Sequence, residues 1–340
     1  MYRIVVHFCT HLGEAQMSDI QGPYQPVTVG MDVGNATTSG VVIGEKERTS
    51  FFPSLIASVG VQAYDGMERV ASGHHHILYR GTNYVVGEEA IHEMGFYSLR
   101  NELAASAAWT RYVGNESIAC FLAGVASMFP DVDVVSIDLG TGAPLSMYQA
   151  HGKEIRKVLR GEHEFSYNGH QRKVLVNRVE CYGEGREVLR LVPREERMGK
   201  IAVYDLGGRT LNTVFFLNGA EKRVVTKDFG IDRLFQRLPS IDRDLAVQWQ
   251  IMREMRESSR NHQDVREGLL SLLSAALDII AREVALGLAE RHYVIGGGAF
   301  LLAQALKAKK FGSVRILHEH APEAANAKAY ALAMRGEGHE

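Results

Sequence analysis

The stretch VGMDVGNATTSGVV (residues 29–42) has a counterpart far along the chain in VYDLGGRTLNTVFF (residues 203–216). In each stretch an apolar run ends in an aspartate, one apolar residue and a glycine, and a second apolar run follows. Asp32 and Asp205 occupy the same place in the two stretches. A strand, a glycine turn and a second strand that occur twice in one register predict two related halves, each opening with a β-hairpin.

The two turns have the composition of a phosphate-binding backbone. Gly34, Gly207 and Gly208 lack a Cβ atom, so the chain can bring successive N–H groups close to an anion. A carboxylate at the end of each strand would repel phosphate, unless a hydrated Mg²⁺ lies between them, because Mg²⁺ keeps several waters and favours carboxylate oxygen. The residues alone therefore predict a clamp for a nucleoside triphosphate and its metal, with two purely structural hairpins as the alternative.

A third glycine-rich turn follows in HYVIGGGAFLLAQALKAKKF, which starts at His292. An apolar strand is predicted to run into Gly296–Gly298, and a helix to begin near Ala299. Three glycines before a helix allow flat backbone to lie against a ring or a sugar, and a tight strand-to-helix turn is the alternative.

Composition excludes several other classes of protein. The chain has 340 residues, of which 46% are hydrophobic, so it is long enough for two domains with separate cores. A formal net charge of −2 argues against direct nucleic-acid binding. The three cysteines are far apart, which predicts neither disulfides nor a zinc site and indicates a reducing, cytoplasmic location. The longest apolar run contains charged residues, so no contact with a membrane is expected.

Taken in order, MDVGNATTSGVVI, YDLGGRTLNTVFF and VIGGGAFLL resemble the phosphate-1, phosphate-2 and adenosine motifs of the actin/Hsp70/sugar-kinase superfamily. Within it the chain is most similar to the plasmid-segregation actins of the ParM/StbA type and their archaeal relatives, over about residues 27–335. The resemblance implies an α/β, actin-like (ribonuclease H-like) fold with two related domains and an interdomain nucleotide cleft. It also implies ATP (or GTP) and Mg²⁺ as ligands, nucleotide hydrolysis, self-association into filaments, and a DNA-bound adaptor protein as a partner.

The resemblance suggests a division of the chain into domains. Domain I is expected to comprise residues 27–198 with 318–340, and domain II residues 199–317. Each is expected to contain a mixed five-stranded sheet flanked by helices. Residues 1–26 form a flexible N-terminal extension in this interpretation, and Met17 is a second candidate for the native start.

The resemblance also assigns roles to residues. Glu184 is expected to open a helix that ends at Pro193 and to orient the water that attacks the γ-phosphate, although Gly183 stands where the family often has proline. Glu184 and Asp205 are the catalytic candidates, and Asp32 and Asp205 the residues that hold the metal through water. The remaining candidates are Asp32, Gly34, Asn35, Gly207, Gly208, Arg209 and Thr210 for phosphate, and Gly296, Gly297, Gly298, Asp232 and Arg233 for adenosine.

A third match to the aspartate pattern, SIDLGTGAPLSMY from Ser136, is interpreted as scaffold, with Asp138 in a core strand. The main alternative is a small-molecule kinase similar to type III pantothenate kinases, in which Asp138 would be catalytic. That alternative leaves the Asp205 hairpin and the Gly296–Gly298 turn without a role. A nucleotide-binding scaffold that hydrolyses weakly is the second alternative.

Overall fold

The computed structural model describes residues 25–44, 46–59, 75–90, 109–238, 245–258, 262–284 and 289–336. The predicted extension, with Met17, lies outside the described residues except for residues 25 and 26. None of the described helices is long and apolar enough to cross a membrane.

The described strands are β1 Val27–Val33, β2 Thr37–Val42, β3 Arg48–Pro53, β4 Ile56–Val59, β5 His75–Tyr79, β6 Thr82–Val86, β7 Val134–Ala143, β8 Gly161–Tyr167, β9 His170–Gly183, β10 Lys200–Leu206, β11 Leu211–Leu217, β12 Ala220–Lys227, β13 Arg291–Ile295 and β14 Ser313–Ile316. The described α-helices are α1 Asn115–Met128, α2 Leu145–Leu159, α3 Ile231–Phe235, α4 Leu245–Glu257, α5 Gln263–Val284, α6 Ala299–Ala308 and α7 Ala325–Met334. Short 3₁₀ helices cover Trp109–Tyr112, Glu187–Leu191, Arg194–Glu196 and Pro322–Ala324.

The predicted internal repeat is confirmed in the topology of the two sheets. β1 pairs antiparallel with β2 and parallel with β7, while β10 pairs antiparallel with β11 and parallel with β13. The strand order β3-β2-β1-β7-β9 of the first sheet thus has its counterpart in β12-β11-β10-β13-β14 of the second. The central strands are buried apolar runs because both of their faces are covered.

The expectation of five strands in each sheet is correct for the second sheet and wrong for the first. Within the described residues the first sheet has nine strands, because β8, β5, β6 and β4 continue it beyond β9. β9 extends over 14 residues, and its first half pairs antiparallel with β8 while it also pairs parallel with β7. The strands of each sheet fall within the two predicted domain ranges, whose exact boundaries stay a prediction.

Helix α7 packs between the two sheets. On one side it lies on β1 and β7, where Gly30 and Gly140 leave room for its backbone. On its other side, Ala325 and Ala329 belong to a buried apolar cluster with Val203 of the second sheet. Small side chains allow this close approach of a helix to two sheets. The helix of the C-terminal segment therefore contacts both sheets, and the assignment of that segment to domain I stays a prediction.

The helix predicted to begin near Ala299 is α6. The prediction of a helix that begins at Glu184 is wrong. Gly185 has a φ of +78°, a left-handed conformation that interrupts a helix, and only the 3₁₀ turn Glu187–Leu191 follows.

The close contact of α7 with β1 generates a stability prediction. A Cβ atom at Gly30 would lie 1.8 Å from the backbone oxygen of Ala327, so Gly30→Ala forces the helix and the strand apart. We expect it to lower the free energy of unfolding by roughly 1–3 kcal/mol in urea denaturation. The control is Gly152→Ala in α2, where the added methyl meets only ordinary contacts and alanine favours the helix. Equal stability of the two variants would contradict the proposed packing.

Candidate functional site

The glycine turns of the two hairpins have the same internal geometry. The N–H of Gly34 donates to the carbonyl of Thr37 over 2.9 Å, and the N–H of Gly207 donates to the carbonyl of Thr210 over 3.0 Å. The repeat in the sequence is therefore a repeat of the turn itself. Each turn follows the carboxyl end of a central strand, β1 or β10, so the two turns lie at corresponding ends of their sheets.

The two turns meet each other across the space between the sheets. A Cβ atom built on Gly208 would lie 2.6 Å from the Cβ of Ala36, which is closer than real carbon atoms approach. Glycine at position 208 thus permits the contact between the turns. The two predicted phosphate-binding segments form one continuous surface.

Two carboxylates lie side by side behind these turns. Asn326, on α7, donates from its amide nitrogen to Asp32 over 3.3 Å and to Asp205 over 2.9 Å. The amide oxygen of Asn326 accepts a hydrogen bond of 3.2 Å from the N–H of Gly185. One side chain therefore joins the ends of β1 and β10 to the segment that follows β9, which carries Glu184.

Glu184 is held at the second hairpin. Asn212, which pairs with Asp205 in the β10–β11 ladder, donates to the Glu184 carboxylate over 3.0 Å. The oxygen of the Asn212 amide accepts a hydrogen bond of 2.8 Å from the Thr226 hydroxyl, so the orientation of the amide is fixed. The structure thus brings Asp32, Asp205 and Glu184 together, as the sequence predicts.

The three carboxyl groups have raised pKa values. Burial, together with the neighbouring Asp205 carboxylate, raises the pKa of Asp32 to about 7. Burial also raises the pKa of Asp205, and burial with the charges of Asp32 and Asp205 raises the pKa of Glu184 well above its usual range. The Arg111 guanidinium opposes the shift of the pKa at Asp32 and at Glu184. Such crowded carboxylates are more stable beside a cation.

This arrangement fits Mg²⁺ held through water. Within the described ranges, no group of three or more histidine, cysteine, aspartate or glutamate side chains is arranged to hold a metal directly. Mg²⁺ typically uses one or two carboxylates, and several waters and nucleotide phosphates complete its shell. Asp32 and Asp205 supply the two carboxylates. The buried side-chain oxygen of Asn35, in the first turn, has no protein hydrogen-bond partner and provides a further acceptor for such a water.

Helix α3 docks its N-terminus on the second turn. The N–H groups of Ile231 and Asp232 donate to the carbonyls of Gly207 and Gly208 over 3.0 and 2.8 Å. Asp232 is buried, which raises its pKa to about 6, and the charge of Arg209 opposes that shift. Arg233, in contrast, is exposed and forms an ion pair of 3.1 Å with Asp228. Of the two residues predicted to bind the sugar, Asp232 lies beside the turn, while Arg233 is occupied by this ion pair.

The glycines of the third turn differ in their surroundings. A Cβ at Gly296 would lie 2.5 Å from the Asp205 carboxylate, and one at Gly298 would lie 2.5 Å from the Leu206 side chain. Gly297 is exposed, with nothing within 4 Å of the position of a Cβ. Gly296 and Gly298 thus let the turn pack against β10, and Gly297 presents the open backbone.

Asp138 lies apart from the carboxylate cluster. It is in the middle of β7, beside Arg178 of β9, and its carboxylate is 3.6 Å from that guanidinium. β7 ends at Ala143, and Pro144 precedes helix α2. Asp138 thus lies within a strand of the sheet, as the sequence predicts.

Sequence reasoning missed three residues of the site, namely Asn212, Asn326 and Arg111. Asn212 could have been found, because continuing the hairpin ladder from the turn places it opposite Asp205. Asn326 and Arg111 are distant in sequence from both hairpins, so no local pattern connects them with the site. Arg111 lies in the 3₁₀ turn Trp109–Tyr112 and donates to the carbonyl of Val33 over 3.2 Å.

Comparisons with known proteins show which proteins this chain is similar to. Residues 30–186 match the family model for the N-terminal domain of actin-like proteins. The ParM protein of pSK41 in its apo form is 15% identical, with a TM-score of 0.64 over 91% of this chain and 97% of that one. A search of curated proteins finds no match.

Two further solved structures are similar over almost their full lengths. An archaeal actin homolog in complex with ADP is 16% identical, with a TM-score of 0.67 over 92% of this chain and 100% of that one. The AlfA filament bound to AMPPNP is 19% identical, with a TM-score of 0.60 over 92% of this chain and 97% of that one. At identities this low, the structural similarity establishes the fold alone. The fold is actin-like, as the sequence predicts.

The raised pKa of Asp32 predicts how stability depends on pH. Between the ordinary value of 3.8 and about 7, the folded chain binds more protons than the unfolded chain, so stability falls as pH rises through this window. Asp32→Asn removes this titration. We expect the variant to gain roughly 2 kcal/mol relative to the unsubstituted protein between pH 5 and pH 8, measured by urea denaturation without nucleotide. Parallel pH profiles for the two proteins would contradict the electrostatic description of the site.

Proposed function

We propose that this chain, an actin-like protein by its fold and by the match of residues 30–186, is an ATP-dependent filament former that hydrolyses nucleotide with Mg²⁺ and serves in plasmid or DNA segregation. One observation carries the proposal. Two glycine turns of identical geometry meet at Ala36 and Gly208, with Asp32 and Asp205 paired directly behind them. A paired turn with paired carboxylates suits a chain of phosphates and its cation.

The nucleotide is proposed to lie with its phosphates between the turns and its base towards the third turn. Gly34, Asn35, Gly207, Gly208, Arg209 and Thr210 are the phosphate-binding residues of this proposal. Gly296–Gly298 and Asp232 are proposed to bind the adenosine, with Gly297 as the exposed contact. Arg233 is the weaker candidate for adenosine binding, because it forms an ion pair with Asp228. ADP and AMPPNP in the similar structures support an adenine nucleotide, and GTP stays the second ligand of the proposal.

Hydrolysis is proposed to depend on Glu184. Its carboxylate is oriented by Asn212, and its raised pKa makes it a stronger base than an exposed glutamate. In its ionised form it would align a water molecule with the γ-phosphate and accept a proton from it. Mg²⁺, held through water by Asp32 and Asp205, would supply positive charge to the phosphates.

The fold offers a route from nucleotide to assembly. Asn326 connects the carboxylates of both sheets to Gly185, so a change at the phosphates is transmitted to the relative position of the sheets. A head-to-tail contact that does not close into a ring produces a filament, and AlfA, one of the similar structures, is a filament. A DNA-bound adaptor protein is the proposed partner, and the cytoplasm the proposed location.

The kinase alternative is not favoured. The residue it requires, Asp138, is paired with Arg178 within the sheet and lies outside the carboxylate cluster. Two of the similar solved structures, Alp12 and AlfA, are filaments.

The proposed function predicts that light scattering of the purified protein rises after addition of Mg-ATP. Phosphate release, followed in the same sample, should lag behind the rise because polymerisation precedes hydrolysis. Phosphate release without any scattering change would reduce the proposal to an ATPase that does not polymerise. No change in either signal over a wide range of protein concentration would contradict it.

The role of Glu184 predicts a separation of assembly from hydrolysis. Glu184→Gln keeps the hydrogen-bonding shape but removes the base, so phosphate release should fall roughly 10²- to 10⁴-fold while the scattering rise persists. The matched control is Glu187→Gln in the same segment, whose carboxylate is paired with Arg190 over 2.7 Å. Unchanged phosphate release in the Glu184 variant would rule out this role.

A further inference from the structure

Arg111 is a buried cation fixed at the edge of the first glycine turn. Its side chain donates to the carbonyl of Val33, the residue directly before Gly34, and only 8% of Arg111 is exposed. Its guanidinium carbon lies 4.4 Å from the centre of the Tyr112 ring. The hydroxyl of Ser117, in α1, donates to the backbone carbonyl of Arg111. The contacts with Val33 and Tyr112 hold the guanidinium, and the bond from Ser117 holds the backbone that carries it.

That place is the junction of the two halves of the site. The charge of Arg111 acts on Asp32 and Glu184, which belong to the first half, and lowers the pKa of each of them relative to burial alone. It also acts on Arg209, in the second turn, whose pKa is lowered by burial and then by Arg111. One guanidinium therefore lies within electrostatic reach of both glycine turns and of Glu184.

The two turns need such a cation for chemical reasons. The turn segments DVGNATT (residues 32–38) and DLGGRTL (residues 205–211) contain Arg209 and no lysine. A transferring γ-phosphoryl group carries negative charge on three oxygens, and a guanidinium matches two of them at once with its planar array of N–H donors. Arg209 belongs to the second turn, whereas Arg111 contacts the first turn through the Val33 carbonyl.

We propose that Arg111 binds the γ-phosphate of the nucleoside triphosphate, so that the site distinguishes triphosphate from diphosphate through this residue. The inference rests on the proposed function and adds a residue that neither glycine motif contains. Its hydrogen bond to the Val33 carbonyl places the guanidinium beside the first turn, where the phosphates are proposed to lie. The same contact would stabilise charge on the γ-phosphate during hydrolysis.

The test compares affinities for AMPPNP and ADP, each with Mg²⁺, by calorimetry at protein concentrations at which light scattering stays flat. Arg111→Met keeps an apolar stem and removes the charge. We expect the affinity for AMPPNP to fall roughly 10- to 100-fold, the effect of losing hydrogen bonds to a charged group, with the affinity for ADP changed by less than about threefold. An equal loss for the two nucleotides, or no loss, would overturn the proposal.

A matched control separates this effect from the general cost of removing a buried arginine. Arg266, in α5, is 7% exposed, donates to the backbone carbonyl of Met255 and has its guanidinium carbon 5.6 Å from the centre of the Phe300 ring. Arg266→Met should lower thermal stability without changing the ratio of the two affinities. If Arg111→Met does not fold, Arg111→Gln, which retains a donor for the Val33 carbonyl, provides the same comparison.

The unsubstituted protein distinguishes failure of this inference from failure of the proposed function. If it binds neither nucleotide, the proposed function is wrong, and the role of Arg111 is wrong with it. If it binds AMPPNP and ADP, and the Arg111 variants keep the same ratio of affinities, only the assignment of Arg111 is wrong.

Discussion

The close packing of helix α7 between the two sheets is the constraint on which the rest of this structure depends. Its backbone approaches β1 and β7 because Gly30 and Gly140 have no side chains to keep it away, and alanines line its other face. This packing places Asn326 where its amide reaches the ends of both central strands. The site is thus positioned by a helix from the far end of the chain, and the two hairpins alone do not determine it.

The two related halves of the chain produce one asymmetric site. The hairpins are equivalent in register and in turn geometry, and each contributes one carboxylate. The residues added to this pair differ between the halves: Glu184 follows β9, while Asn212 extends from β11 to hold it. Under the proposed function, the symmetric pair of turns would bind the phosphates, and the asymmetric additions would act on only one of them.

The electrostatics of the cluster follow from the same packing. Three carboxylates are crowded at the meeting point of the sheets. Burial raises the pKa of all three, and repulsion between the carboxylates further raises the pKa of Asp32 and of Glu184. This crowding destabilises the protein without ligand, and a ligand that brings a cation relieves it. Binding sites commonly accept such a cost, because the groups that function requires are seldom those that stability favours. Arg111 reduces the repulsion within the chain itself.

The sequence by itself determined the features that depend on neighbouring residues. The two hairpins, the glycine turns and helix α6 follow from apolar patterning and from the conformational freedom of glycine, which act over a few residues. The ladder position of Asn212 was also within reach of the sequence, since the turn fixes the register. The resemblance of three ordered motifs supplied the overall fold and the role proposed for Glu184.

Only the tertiary structure decided the features that depend on distant contacts. The helix predicted at Glu184 failed because the left-handed Gly185 serves the contact with Asn326, an interaction between residues 141 positions apart. The described part of the first sheet has four strands beyond β9 because β5 pairs with β8, which lies in a separate part of the chain, and no local pattern predicts that pairing. Asn326 and Arg111 joined the site for the same reason: packing of α7 and of the 3₁₀ turn before α1 carries their side chains to it, and such packing is a property of the folded chain.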